Sequence, residues 1–332
     1  SKNIKKLLKS RKIKKNKKLK FLFVGNSVMS NDLPGIFKKL SELDGYDVKV
    51  DKIIRGGCGG SFSSMIKNHK LLEKIKKGKY NYVIMQSQTD EVKKGGPMGD
   101  DGAKFGGICP DMSGFFHHGR QIIKTTIESG AIPVMLAHYA SCHPSFRWPP
   151  YKKCNINNHS SYTADEKERS RFTEADDIER GYAKFLTGKD HQGKQIYDGS
   201  KVILAPASRA WGMGNWKLSM EYLKNDYHHP NKYGSTSMAL TIFSAVFGKK
   251  FKYKKGKKYL NNFLFKKGKN KNLKSIKFMI NQSQSAVLDW LKIKEKIMPK
   301  LEKYPKNRYD WKYKGKDYYS GLIYGKKYSG YK

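Results

Sequence analysis

The chain has 332 residues, with 68 Lys and Arg against 28 Asp and Glu, and a formal net charge of +40. Apolar residues make up 38%, enough for a sizeable core, so wholesale disorder is excluded. There is no apolar run long enough for a spanning helix, which needs about 18 residues, and 4 cysteines are too few for a disulfide-built miniprotein.

The first predicted strand is Leu19–Val24, a short apolar run closed by Gly25-Asn26-Ser27. Leu33, Ile36, Phe37 and Leu40 then recur at helical spacing and predict a helix over Leu33–Leu43, with Asn31 or Asp32 as its cap. Val48–Ile54 reads as a second strand, ending in Gly56-Gly57-Cys58-Gly59-Gly60, and Phe62–Ile75 as one helix. Tyr80–Met85 is a third strand, followed by Gln86-Ser87-Gln88. Gly119–Glu128 reads as a helix and Ile132–Ala137 as a fourth strand. After a long loop over 138–162, Asp176–Leu186 reads as helix, Val202–Ala205 as strand and Ser235–Phe247 as a strongly apolar helix. Strands alternating with helices predict a flavodoxin-like three-layer α/β/α sandwich with a parallel central sheet. In such sheets functional groups collect beyond the carboxyl ends of the strands.

The charge is unevenly placed. Residues 1–20 carry 11 basic and no acidic side chains, and residues 249–332 carry 26 basic and 5 acidic. The expected organisation is a basic arm over 1–18, a folded domain over 19–250, and a basic Tyr/Gly/Lys-rich extension over 251–332 holding one helix at 283–297. Lysine runs are either solvated arms or surfaces for a polyanion. Lys outnumbering Arg favours diffuse attraction over bidentate recognition. Nucleic acid, an anionic glycan and an anionic surface all fit, and charge does not choose among them. The apolar stretch Phe21–Val24 is too short for a signal-peptide core, which needs roughly 7–15 residues.

Three strand ends and one distant loop supply groups suited to acyl transfer. Ser27 stands where a strand turns into a helix; a serine there either caps the helix or presents a hydroxyl. A serine is a weak nucleophile without a base in reach. Asp226-Tyr227-His228-His229-Pro230 offers His229 as that base and Asp226 as the group that orients it. His228 is a rival, without the D-x-x-H spacing. Donors for an oxyanion come from the Ser27 backbone N–H, the glycine loop at Gly59 and the Gln88 amide, with Gln86 competing. Asn26, Gln86, His138, Tyr139 and Trp148 are candidates to line a substrate cleft.

FLFVGNSVMSNDLP, GGCGGSF, YVIMQSQTD and NDYHHPNKYGS, in that order, resemble the blocks of the SGNH (GDSL-like) hydrolases, in the variant with Gly-Asn-Ser. The resemblance covers about 20–250 and neither basic arm. It implies Ser27 as nucleophile, His229 as general base, Asp226 as orienter, and Ser27, Gly59 and Gln88 as the oxyanion hole. It implies hydrolysis of small acyl esters, above all acetyl esters on carbohydrate, with no cofactor and no metal. The sequence departs from many members in having Asn26 for Asp and Gln88 for Asn.

His117, His118, His138, His143 and Asp111 are metal-ligand types but lack H-x-x-x-H or C-x-x-C spacing. Cys142 and Cys154 are placed for a disulfide only in an oxidising compartment; Cys58 reads as structural. The competing function is a structural, assembly or polyanion-binding protein that keeps a hydrolase fold and works through its basic arms. A secreted or particle-associated setting is favoured over the cytoplasm.

Overall fold

The computed structural model describes residues 17–29, 32–87, 114–138, 178–179, 181–190, 192–212, 222, 229–265 and 273–302. Five strands, β1 (Leu19–Gly25), β2 (Val48–Ile54), β3 (Tyr82–Met85), β4 (Ile132–Ala137) and β5 (Ile203–Pro206), form one sheet in the order β2-β1-β3-β4-β5. All four pairings are parallel; Phe21, for example, lies between Val50 and Tyr82. That order is the flavodoxin-like one, whose chain reversal falls beside β1. β1 is a nearly continuous buried run, as a strand covered on both faces must be.

The crossovers put the helices on two faces of the sheet. On one lie α1 (Leu33–Leu43), reached from β1, and α6 (Lys232–Phe247). On the other lie α2 (Phe62–His69), α3 (Leu71–Gly78) and α4 (Phe115–Glu128). The short α5 (Ala207–Gly212) follows β5 directly. Phe37 of α1 shows how the layers lock. Its ring meets Phe21 at 4.9 Å and Phe23 at 5.5 Å on the sheet, and stacks on Phe247 of α6 at 6.2 Å. α6 is buried almost all round, from Gly234 to Phe247, because it lies between the sheet and a further helical layer.

Besides shifts of a few residues at element ends, two larger differences from the sequence expectation stand among the described residues. The single helix over 62–75 is broken at Lys70, which adopts a left-handed φ of 47°. Phe62 and Met65 share one helical face, but Leu71 lies six residues beyond Met65, about 120° off that face in an unbroken helix. The break rephases the chain, and all three side chains are buried. The second difference lies beyond residue 250. α7 (Tyr253–Leu264) and α8 (Leu273–Glu302) follow, the latter 30 residues long rather than the expected 283–297. α8 packs on α6 and α5 through Ile276, Met279, Ile280, Ala286, Val287 and Trp290, all buried. Packed structure therefore continues well past the expected domain end. Among the described residues no helix is long and apolar enough to cross a membrane.

Candidate functional site

β1 ends at Gly25, where a Cβ would come within 2.7 Å of Met29 Sδ and 3.0 Å of Gln86 Oε1. The next residue, Asn26, is 1% exposed and ties a tight turn: its Oδ1 accepts from Val28 N at 2.9 Å and its carbonyl from Met29 N at 3.0 Å. This single 3-10 turn, Ser27–Met29, leaves the half-buried Ser27 at the carboxyl end of the sheet. Ser27 Oγ lies 2.9 Å from His229 Nε2, a contact between residues 202 positions apart.

The turn is held from β3. Gln86 N donates to Val24 O at 2.9 Å, and Gln86 Oε1 accepts from Asn26 N at 3.2 Å. Gln86 Nε2 donates to Ser87 O. Both ends of this amide are thus occupied in a side chain with no exposure, so Gln86 is a strut beneath Ser27. Ser87 extends the brace: its N–H donates to Tyr182 Oη at 2.8 Å and its Oγ accepts from Phe62 N at 3.2 Å.

The glycine loop packs against the other side of the turn. Arg55 N donates to Gly25 O at 3.0 Å, and Gly57–Gly60 forms a 3-10 turn with Gly57 at φ 51°. A Cβ on Gly60 would sit 2.2 Å from Asn26 Cβ, so only glycine fits there. Gly59, expected as the oxyanion donor, is half-buried and its own Cβ direction leads to Arg55. The sequence showed that one glycine must allow close approach; it did not show that Gly60 is the one against Asn26. Arg55, exposed at the loop's start, reaches His69 Nδ1 at 3.5 Å, and burial followed by this guanidinium lowers the His69 pKa.

The histidine arrives from the opposite half of the chain. Asn231 caps α6, its Oδ1 accepting from Tyr233 N at 2.8 Å and Gly234 N at 3.2 Å. Its own N–H donates to Tyr222 O at 2.8 Å. A Cβ on Gly234 would lie 2.4 Å from Tyr222 O and 2.9 Å from the Trp211 ring, so Tyr222 and Trp211 pack directly on the start of α6. Trp211 belongs to α5, whose Arg209 has no exposure and grips Glu179 through Nε at 3.1 Å and Nη2 at 2.5 Å. Arg209 Nη1 reaches Asp289 of α8 at 2.8 Å.

Of the other expected residues, Asn26 is buried within the turn. His138 also has no exposure, and its ring packs 6.0 Å from Tyr182. His117 and His118 flank Gln121 on α4, and burial lowers the His118 pKa. Among the described residues no group of three or more His, Cys, Asp and Glu is placed to hold a metal. Asp226, Gln88, Tyr139, Trp148, His228, Asp111, His143, Cys142 and Cys154 lie outside the described residues. Comparison of the chain with protein-family models, with curated proteins and with solved structures gives no significant match.

Proposed function

We propose that the protein is a serine ester hydrolase of the SGNH type, acting on small acyl esters, acetyl above all, carried by carbohydrate. The observation that carries this reading is the 2.9 Å approach of Ser27 Oγ to His229 Nε2 at the carboxyl end of β1. A hydroxyl so placed can lose its proton to the imidazole as it attacks an ester carbonyl. The reading assigns Asp226, by its D-x-x-H spacing, to fix the imidazole tautomer. The reading assigns the Ser27 N–H, the Gly59 N–H and the Gln88 amide as the oxyanion donors.

In the proposed cycle Ser27 Oγ bonds to the acyl carbon and its proton passes to His229. The C–O bond to the sugar breaks, and the sugar oxygen takes that proton. Water, deprotonated by His229, then attacks the acyl carbon, releasing the carboxylic acid and restoring the serine hydroxyl. Hydrolysis of p-nitrophenyl acetate tests the reading. Ser27→Ala and His229→Ala are each expected to lower kcat by about 10³-fold or more. An unchanged kcat in either variant overturns it and leaves the alternative, a scaffold that binds polyanions.

A further inference from the structure

Residues 249–265 take no part in the site described so far, yet they carry seven lysines and no acidic residue. One side of α7 is packed, with Gly256, Leu260, Asn261 and Leu264 buried. Two of the lysines have a structural use. Lys249 and Lys255 both pair with the buried carboxylate of Asp44 at the end of α1, Lys255 at 3.2 Å. Lys250, Lys252, Lys254, Lys257 and Lys258 are exposed, and none of the five is ion-paired among the described residues.

The helix has a direction. Its first turns lie at Asp44, and its last residues meet the start of α6. There Lys232 Nζ donates to Phe263 O at 2.9 Å and Tyr233 Oη donates to Leu264 O at 2.9 Å. Lys232 is three residues beyond His229. At this end the half-buried rings of Tyr259 and Phe263 stack, 5.5 Å apart at 17°. Burial, followed by the nearby Asp32 carboxylate, pushes the Tyr259 hydroxyl up to about 12, which keeps that ring neutral at ordinary pH. Asp32 is itself five residues from Ser27. A strip of ammonium groups therefore leads along α7, about 18 Å long by its rise, to an aromatic pair and Lys232 at the start of α6, the helix that follows His229 in the chain.

We propose that α7 is the docking track for the substrate polymer, and that this polymer is an acidic polysaccharide bearing acyl esters. The proposal rests on the hydrolase reading above. Unpaired lysines attract a chain of anionic groups with little demand on geometry. The aromatic pair offers a flat apolar surface to a sugar ring at the end of α7 that meets the start of α6. Nucleic acid would satisfy the charge, but its backbone esters are phosphodiesters; the hydroxyls of a polysaccharide are where carboxylic esters form.

The test uses the full chain with Lys254→Glu, Lys257→Glu and Lys258→Glu together. A charge-matched control carries Lys76→Glu, Lys77→Glu and Lys124→Glu on the other face of the sheet. Substrates are O-acetylated polygalacturonate, which is anionic, and O-acetylated glucomannan, which is neutral. In the α7 variant the ratio of kcat/KM for the anionic over the neutral polymer is expected to fall about 10-fold or more at low salt, and to recover toward the wild-type ratio in high salt. An equal fall in the control variant, or no fall in either, overturns the track.

Binding of unacetylated polygalacturonate to the Ser27→Ala chain reads the surface apart from chemistry. Weakening of about 10-fold by the α7 substitutions but not by the control supports the track even if no ester is cleaved, and then the hydrolase reading alone fails. Tighter binding of a single-stranded DNA of equal charge, lost in the α7 variant, overturns the glycan assignment.

Discussion

The two shoulders of the site are built by different means. The Ser27 side is assembled mostly from the first 87 residues, with Tyr182 behind them, by close packing: a glycine with no room for a methyl group, a buried asparagine and a buried glutamine that spend their polar atoms on the turn. The His229 side is assembled from remote helices: Asn231 on Tyr222, Tyr222 and Trp211 on α6, and α5 fixed by the buried Glu179–Arg209 pair and its link to half-buried Asp289. One shoulder depends on shape and tolerates no added volume. The other depends on buried charge and tolerates no missing partner.

The sharpest way to break this comparison is at the charged group. Arg209→Ala leaves the Glu179 carboxylate buried without its guanidinium. The expected loss is about 3–5 kcal/mol, read by urea unfolding. Arg209→Met, which also keeps the bulk, should cost less if Glu179 is changed with it to Gln. A loss under about 1 kcal/mol for Arg209→Ala would mean that shoulder is held by packing instead.

On the serine shoulder, Gly60→Ala forces a methyl group into Asn26. A cost of about 1–3 kcal/mol is expected from the clash, with ester hydrolysis falling further than stability predicts because the serine turn itself must move. Kinetics and unfolding on the same preparation separate the two effects. Away from both shoulders, Lys70→Gly relieves a left-handed non-glycine residue and should stabilise by up to about 1 kcal/mol without altering kcat.

The smallest expected effect is a pH one. Burial alone would raise the Asp51 pKa. The Tyr80 hydroxyl at 2.9 Å and the Lys20 ammonium at 3.3 Å outweigh it and hold the carboxyl below its ordinary 3.8. A carboxylate lowered in the folded state stabilises above its unfolded pKa, and that contribution is lost as pH falls through the folded value. Asp51→Asn should therefore reduce stability at neutral pH and flatten its fall below about pH 4. Equal pH curves for the two proteins would discard this pairing.

The sheet and most helices were legible because apolar runs and helical spacing report burial directly. β2, α1 and β4 have the residues the pattern indicates, and the parallel sheet follows from alternation. The break at Lys70 was not legible, because a lysine carries no turn signal. α8 was underread because its lysines masked a periodic apolar face running from Ile276 to Leu291. Around the site, residue type announced Ser27 and His229. It did not reveal that Gln86 and His138, polar groups at strand ends, are fully buried, since type says nothing of which way a side chain turns.

The central claim is that His229 activates Ser27, and fluorophosphonate labelling followed by peptide mapping tests it most directly. The expected result is one adduct per chain, on Ser27, absent in Ser27→Ala and slowed about 10³-fold or more in a folded His229→Gln chain. Labelling at another residue, or at Ser27 with an undiminished rate when His229 is gone, would contradict it.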